Sequence, residues 1–184
     1  MEKTTAYAVT PTAIPGLLLV EISSVEDDRG WFQEKYQKEK LTAAGLPAGF
    51  QPVQQNISFN REPGVTRGLH AEPWEKYVSV VRGKVFAAYV DLRAGDHFGK
   101  TVTVTIDPGK AVFVPRGVAN SFQTLEPETY YSYLVNSHWS PDARYVSVNL
   151  ADPDLGIVWP IPLAGAVISD KDRKHPQLKN IQPF

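Results

Sequence analysis

The chain of 184 residues is 42% apolar and 21% charged, with 13 glycines and 15 prolines. That composition excludes disorder, collagen and coiled coil, and the length suits one domain that buries on the order of 70% of its unfolded surface. With 19 basic against 20 acidic residues the formal charge is −1, so no net attraction draws the chain to nucleic acid or to an anionic membrane.

There is no cysteine, which removes disulfides, thiolate metal sites and cysteine nucleophiles together. The apolar run Leu17-Leu18-Leu19-Val20 follows Pro11 and Pro15 and makes a poor signal-peptide core. No stretch approaches the roughly 20 apolar residues of a membrane span. The expectation is a soluble cytoplasmic protein.

In chain order, residues 17–22 read as a strand, and 31–36 as a second after the turn Asp27-Asp28-Arg29-Gly30. Residues 37–44, closed by Gly45, are the one fair helix before residue 150. Residues 53–59 follow as a strand. Then 77–81 and 85–90 flank Arg82-Gly83-Lys84 and read as a tight hairpin. Residues 101–106 alternate hydroxyl and apolar side chains, the period of a half-buried strand. Asp107-Pro108-Gly109-Lys110 suits a type II turn into strand 111–114. Residues 129–135 and 145–150 complete about ten short strands.

The pattern predicts an all-β fold, a jelly-roll sandwich or barrel with few helices, spanning residues 1–184 as one domain. Residues 1–24 are read as an arm that could add a strand to a partner sheet. Residues 151–184 are read as an irregular, proline-rich C-terminal segment.

Four histidines are candidates for chemistry. His70, in Arg67-Gly68-Leu69-His70, is either a structural residue or a general base facing a barrel mouth. His97 reads as a solvated loop residue and His175 as part of a solvated charged tail. Metal is disfavoured, because no His-x-His pair accompanies His70 and Glu72 is its one nearby carboxylate. Tyr131 and Tyr133 share one strand face, where aromatic packing competes with a role as proton donor. Arg29 and Arg67 are either surface residues or planar clamps on phosphate or carbonyl oxygen.

Read together, the motifs carry a resemblance. They run Asp28-Arg29-Gly30-Trp31-Phe32-x-Glu34, Gln54-x-Asn56-x-Ser58, Arg67-Gly68-Leu69-His70, Lys76 and Val114-Pro115-x-Gly117-x-Ala119-x-x-Phe122. The Tyr133 strand, Ile157-x-Trp159-Pro160 and Ser169-x-Lys171-Asp172 continue the order. The chain resembles the dTDP-4-dehydrorhamnose 3,5-epimerase family from about Ile14 to Pro176.

The resemblance implies a cupin-type jelly roll, a homodimer and no metal or organic cofactor. It implies epimerisation of dTDP-4-dehydro-6-deoxy-D-glucose at carbons 3 and 5, toward L-rhamnose. It matches His70 to the general base, Asp172 to the carboxylate that orients it, Tyr133 to the opposite-face proton donor and Lys76 to the cation near the keto oxygen. Arg29, Glu34, Gln54, Asn56 and Arg67 match substrate-binding positions, and Lys171 a diphosphate contact.

Asn120 stands where the family pattern has a second histidine, and Trp139 where a tyrosine is usual. Ala71-Glu72 replaces an aromatic-Gln pair. Asn120 and Trp139 are still counted among the substrate contacts. Because Asn cannot shuttle a proton, a 3-epimerase or a ketoisomerase on a related sugar nucleotide stays open. So does a binding module without turnover, although such a module has no need of a base and an acid on opposite faces.

Overall fold

The computed structural model describes residues 4–184. Six antiparallel strands form one sheet: β1 (Tyr7–Pro11), β2 (Leu18–Ile22), β5 (Gln54–Asn60), β7 (Lys76–Arg82), β10 (Lys110–Val114) and β12 (Thr129–Val135). Their spatial order is β1-β2-β10-β7-β12-β5. The second sheet contains β6 (Thr66–Ala71), β8 (Val85–Asp91), β9 (Thr101–Ile106), β11 (Val118–Thr124) and β13 (Val146–Ser147), in the order β13-β6-β11-β8-β9. Between Asn60 and Thr129 the chain passes repeatedly from one sheet to the other, and the two layers close a jelly-roll sandwich.

Two expectations about turns are corrected. Residues 82–84 do not close a hairpin: β7 pairs with β10 and β12, whereas β8 pairs with β9 and β11. A short turn looks the same in sequence whether its strands pair or lie in different layers. Here both strands bury long apolar faces, and only separate sheets give each strand two partners. The 107–110 turn also links the two sheets. It closes with Lys110 N–H on the Asp107 carbonyl at 3.0 Å, and the Asp107 carboxylate takes the Gly109 N–H at 2.9 Å. Gly109 has no positive φ, so the aspartate-braced turn replaces the type II turn.

Other boundaries move. The strand expected at 31–36 ends at Phe32, where β3 (Val25–Asp27) and β4 (Gly30–Phe32) make a separate two-stranded ribbon. The strand expected at 145–150 shrinks to β13. The sequence reading gave no strand at β11, and within the stretch it read as an arm β1 pairs over five residues with β2 of the same chain. Residues 1–3 of the expected arm lie outside the described residues.

Helix α1 (Lys38–Ala43) forms as expected. The Gln37 side chain accepts the Lys40 N–H at 2.7 Å, and Gly45, at φ +115°, turns the chain away.

Three apolar clusters hold the layers. Val78, Val80, Val112 and Val114 meet Val85, Ala87, Tyr89, Val118 and Phe122 between the sheets. Leu41, Leu46 and Phe50 cover Val20, Tyr77, Ala111 and Phe113 on the outer side of the first sheet. On the outer side of the second sheet, Leu150, Leu155 and Ile181 of the C-terminal segment cover Leu69, Ala88, Val90 and Ala119. Each buried Val, Leu, Ile or Phe among them contributes about 1.5–3 kcal/mol, enough to order a segment with little regular structure.

Gln123 pins the same segment, donating to the Ile161 carbonyl at 2.9 Å and accepting its N–H at 2.8 Å. Val167 N–H bonds to the Gly64 carbonyl and Thr66 N–H to the Val167 carbonyl, so the segment runs beside the start of β6. It then enters α2 (Asp170–Arg173), capped by the Ser169 hydroxyl on Asp172 N–H at 3.1 Å. Among the described residues, no helix is long and apolar enough to cross a membrane.

Candidate active site

A cavity of about 530 Å³ opens between the sheets, lined by side chains of β5, β6, β7, β11, β12 and the start of α2. Its polar lining includes Arg67, His70, Glu72, Lys76, Asn120 and Tyr133, with Asp172 behind His70.

Strand β6 reaches the cavity through an irregularity. Arg67 and His70 are three residues apart, so in a regular strand they would face opposite sides. Phe122 pairs with Arg67 and Asn120 with His70, so β6 spends one more residue than β11 over this stretch. That bulge turns both side chains into the cavity. It is built around Gly68 at φ +123°, where a Cβ would lie 2.6 Å from Ser121 Cβ.

Asp172 arrives from a distant part of the chain. Its Oδ1 lies 2.8 Å from His70 Nε2 and 3.1 Å from His175 Nε2, and its Oδ2 accepts the Gly68 N–H at 3.4 Å. Burial pushes its carboxyl up. The hydrogen bond and charge of His70, with the Gly68 and His175 bonds, outweigh this and hold it at about 2. An ionised carboxylate only accepts, so the His70 nitrogen facing it is the donor, and the other ring nitrogen is the one turned to exchange a proton.

His175 does not belong to a solvated tail, as the sequence reading had it. Its ring is nearly buried, packs edge-on to His70 at 5.4 Å, and is held down in pKa chiefly by burial. The charged neighbours in sequence hid it; its partner in space is Asp172.

On the facing wall, the register is regular. Tyr131 and Tyr133 of β12 share the cavity side, with Tyr131 stacked on Phe122 at 4.1 Å. Burial pushes the Tyr133 phenol up, and the Arg67 charge works against that. Lys76 opens β7 beside Val135, its side chain only 7% exposed. Its ammonium pairs with Glu72, donates to Asn120 Oδ1 at 2.6 Å and lies 5.9 Å from the Tyr133 ring. Burial alone pulls it down to about 7.

The remaining expected contacts are spread out. Asn56 neighbours Tyr133 across β5–β12, and Gln54 bonds both Asn56 and the Trp139 N–H at 3.0 Å. Trp139 is 63% exposed. Arg29 sits on the β3–β4 ribbon, exposed and paired with Asp27. Glu34 is bound to Lys40, away from the cavity lining. Lys171 lies exposed on α2, one residue before Asp172. The sequence reading placed no role on Glu72, although its position two residues after His70 was a usable signal.

His70, Asp172 and His175 offer three ligand atoms within 4.8 Å of one another, the one grouping of metal-ligand type among the described residues. Both rings already spend a nitrogen on Asp172, and the cations Arg67 and Lys76 line the same cavity. Hydrogen-bonded proton transfer suits this donor set better than a dication does.

A histidine–carboxylate pair thus faces a phenol and an ammonium inside a jelly roll, an arrangement whose chemistry suits moving a carbon-bound proton next to a carbonyl. The family model for dTDP-4-dehydrorhamnose 3,5-epimerase matches residues 11–180. The chain belongs to that family.

A Streptococcus pyogenes protein described as an RmlC homolog is 51% identical over 177 residues, covering 93% of this chain and 89% of that one. A dTDP-4-dehydrorhamnose 3,5-epimerase from Methanothermobacter thermautotrophicus is 34% identical, with 91% and 92% covered. Among solved structures, RmlC from Streptococcus suis in complex with dTDP-D-xylose superposes with a TM-score of 0.92 at 48% identity, covering 97% and 95%.

Proposed function

We propose that this chain inverts carbons 3 and 5 of dTDP-4-dehydro-6-deoxy-D-glucose, giving dTDP-4-dehydro-L-rhamnose. One observation carries the reading: the oriented imidazole of His70 and the phenol of Tyr133 line one cavity from opposite sheets. The 4-keto group acidifies the C–H bonds on both of its neighbours, so one site can serve both centres without a cofactor. His70 removes the proton, and Asp172 steadies the imidazolium that forms. Lys76 holds the charge that develops on the keto oxygen. Tyr133 returns a proton from the other face, which inverts the centre. Arg67, Asn56, Asn120 and Trp139 position the sugar, and Lys171 meets the diphosphate.

Proton NMR of the substrate in deuterated water tests this. Deuterium at both carbons, with inversion, is the expected result; nucleotide binding without exchange would refute it. Exchange at carbon 3 alone would favour the 3-epimerase reading, which the asparagine at position 120 keeps in play.

The homodimer rests on the first sheet. Ile57, Phe59, Val81 and Tyr130 are exposed on its outer side, beyond the part that α1 covers. A second copy seated there would hide them. The same assembly would let the β3–β4 ribbon carry Arg29 toward the partner's cavity, because Arg29 does not line its own. Mixed dimers of Arg29→Ala and His70→Ala chains should then regain activity that neither pure dimer has.

A further inference from the structure

Glu72 lies between β6 and β7, two residues past His70, and lines the same cavity with its side chain 15% exposed. Neither the fold nor the mechanism above uses it. Its carboxylate pairs with the ammonium of Lys76, which also donates to Asn120 Oδ1. The other groups facing this region are Arg67 and His70 from β6, Tyr131 and Tyr133 from β12, and Asp172 from α2. Of these, the Tyr133 ring lies 5.9 Å from the lysine ammonium. Among the described residues, Glu72 is thus the one anion in contact with the Lys76 ammonium.

We infer that Glu72 is a positioning residue that keeps Lys76 a cation and aims it into the cavity, with Asn120 fixing a second direction. The inference rests on the reading that Lys76 faces the keto oxygen. A buried ammonium without an anion loses its proton readily, and burial disfavours the Lys76 cation. A neutral amine brings no charge to a developing enolate. Asn120 accepts a hydrogen bond but adds no charge and cannot titrate, so the grip on the proton falls to Glu72.

The test compares wild type with Glu72→Gln, which keeps the volume and removes the charge, and with Glu72→Asp, which keeps the charge on a shorter stem. In protein labelled at lysine Cε, Lys76 is identified by the signal lost in Lys76→Arg and titrated by NMR. The expected result is a titration at least about one pH unit lower in Glu72→Gln, with Glu72→Asp between the two. The alkaline limb of kcat/KM should move down by the same amount. Equal Lys76 titrations in all three proteins would overturn the inference. So would a loss of activity that is uniform across pH while Lys76 titrates unchanged. The NMR titration needs no turnover, so it decides the role of Glu72 even if the assigned reaction fails its own test.

Discussion

The two walls of the cavity are built in opposite ways. The Tyr133–Lys76 wall lies on two neighbouring strands of the first sheet in plain antiparallel register from Tyr131 to Val135. The His70 wall needs a bulge in β6, a glycine that tolerates φ +123°, and a carboxylate brought in from 102 residues away. The proposed base is therefore the part of the site held by tertiary structure, and the proposed acid is the part held by local alternation. A proton donor needs only to face inward. A base needs a fixed ring orientation and a partner for its charge.

The largest expected effect comes from the base. His70→Ala should cut exchange at both carbons about 10²–10⁴-fold, read by deuterium incorporation. If only one carbon is affected, the two centres do not share a base. Lys76→Met should follow at about 10²–10³-fold in kcat, because the enolate loses its cation. A change confined to KM would place Lys76 on substrate binding instead.

Tyr133→Phe should separate the walls. Deprotonation persists while inversion falls, so the ratio of exchange to epimer formation rises. An equal loss of both would show the phenol acting in the first step.

The smallest effect is on stability. Asp172 has a depressed folded pKa, about 2 against an ordinary value near 3.8. Its contribution, about 2 kcal/mol, is present above the unfolded value and is lost as pH falls toward the folded one. The Tm gap between wild type and Asp172→Asn should therefore be widest near neutrality and should shrink as pH drops through that acid window. A gap that stays constant would place the stabilisation elsewhere than in the carboxylate charge.

Single residues show how far the sequence could be read. The alternation at Thr101–Ile106 gave strand and buried face together, because a half-buried edge strand has a strict period of two. The glycine that ends α1 was equally legible, since it acts within a few residues, whereas Gln37 was taken into the helix and is instead its cap. The 82–84 turn was misread because pairing is a property of layers, which no local pattern records. His175 was misread because a histidine among lysines and arginines looks solvated until a distant strand is packed against it.

By itself, the sequence determined the all-β class, the strand periodicity and the ordered motifs that mark the family. These depend on residue type and short-range spacing, which the chain carries directly. The tertiary structure alone decided which strands pair, which face of β6 His70 takes, and that Asp172 is shared by His70 and His175. It also decided that Lys76 is clamped by Glu72 and Asn120. Those outcomes depend on how buried apolar faces and buried charges find partners far along the chain, and only the packed molecule sets that.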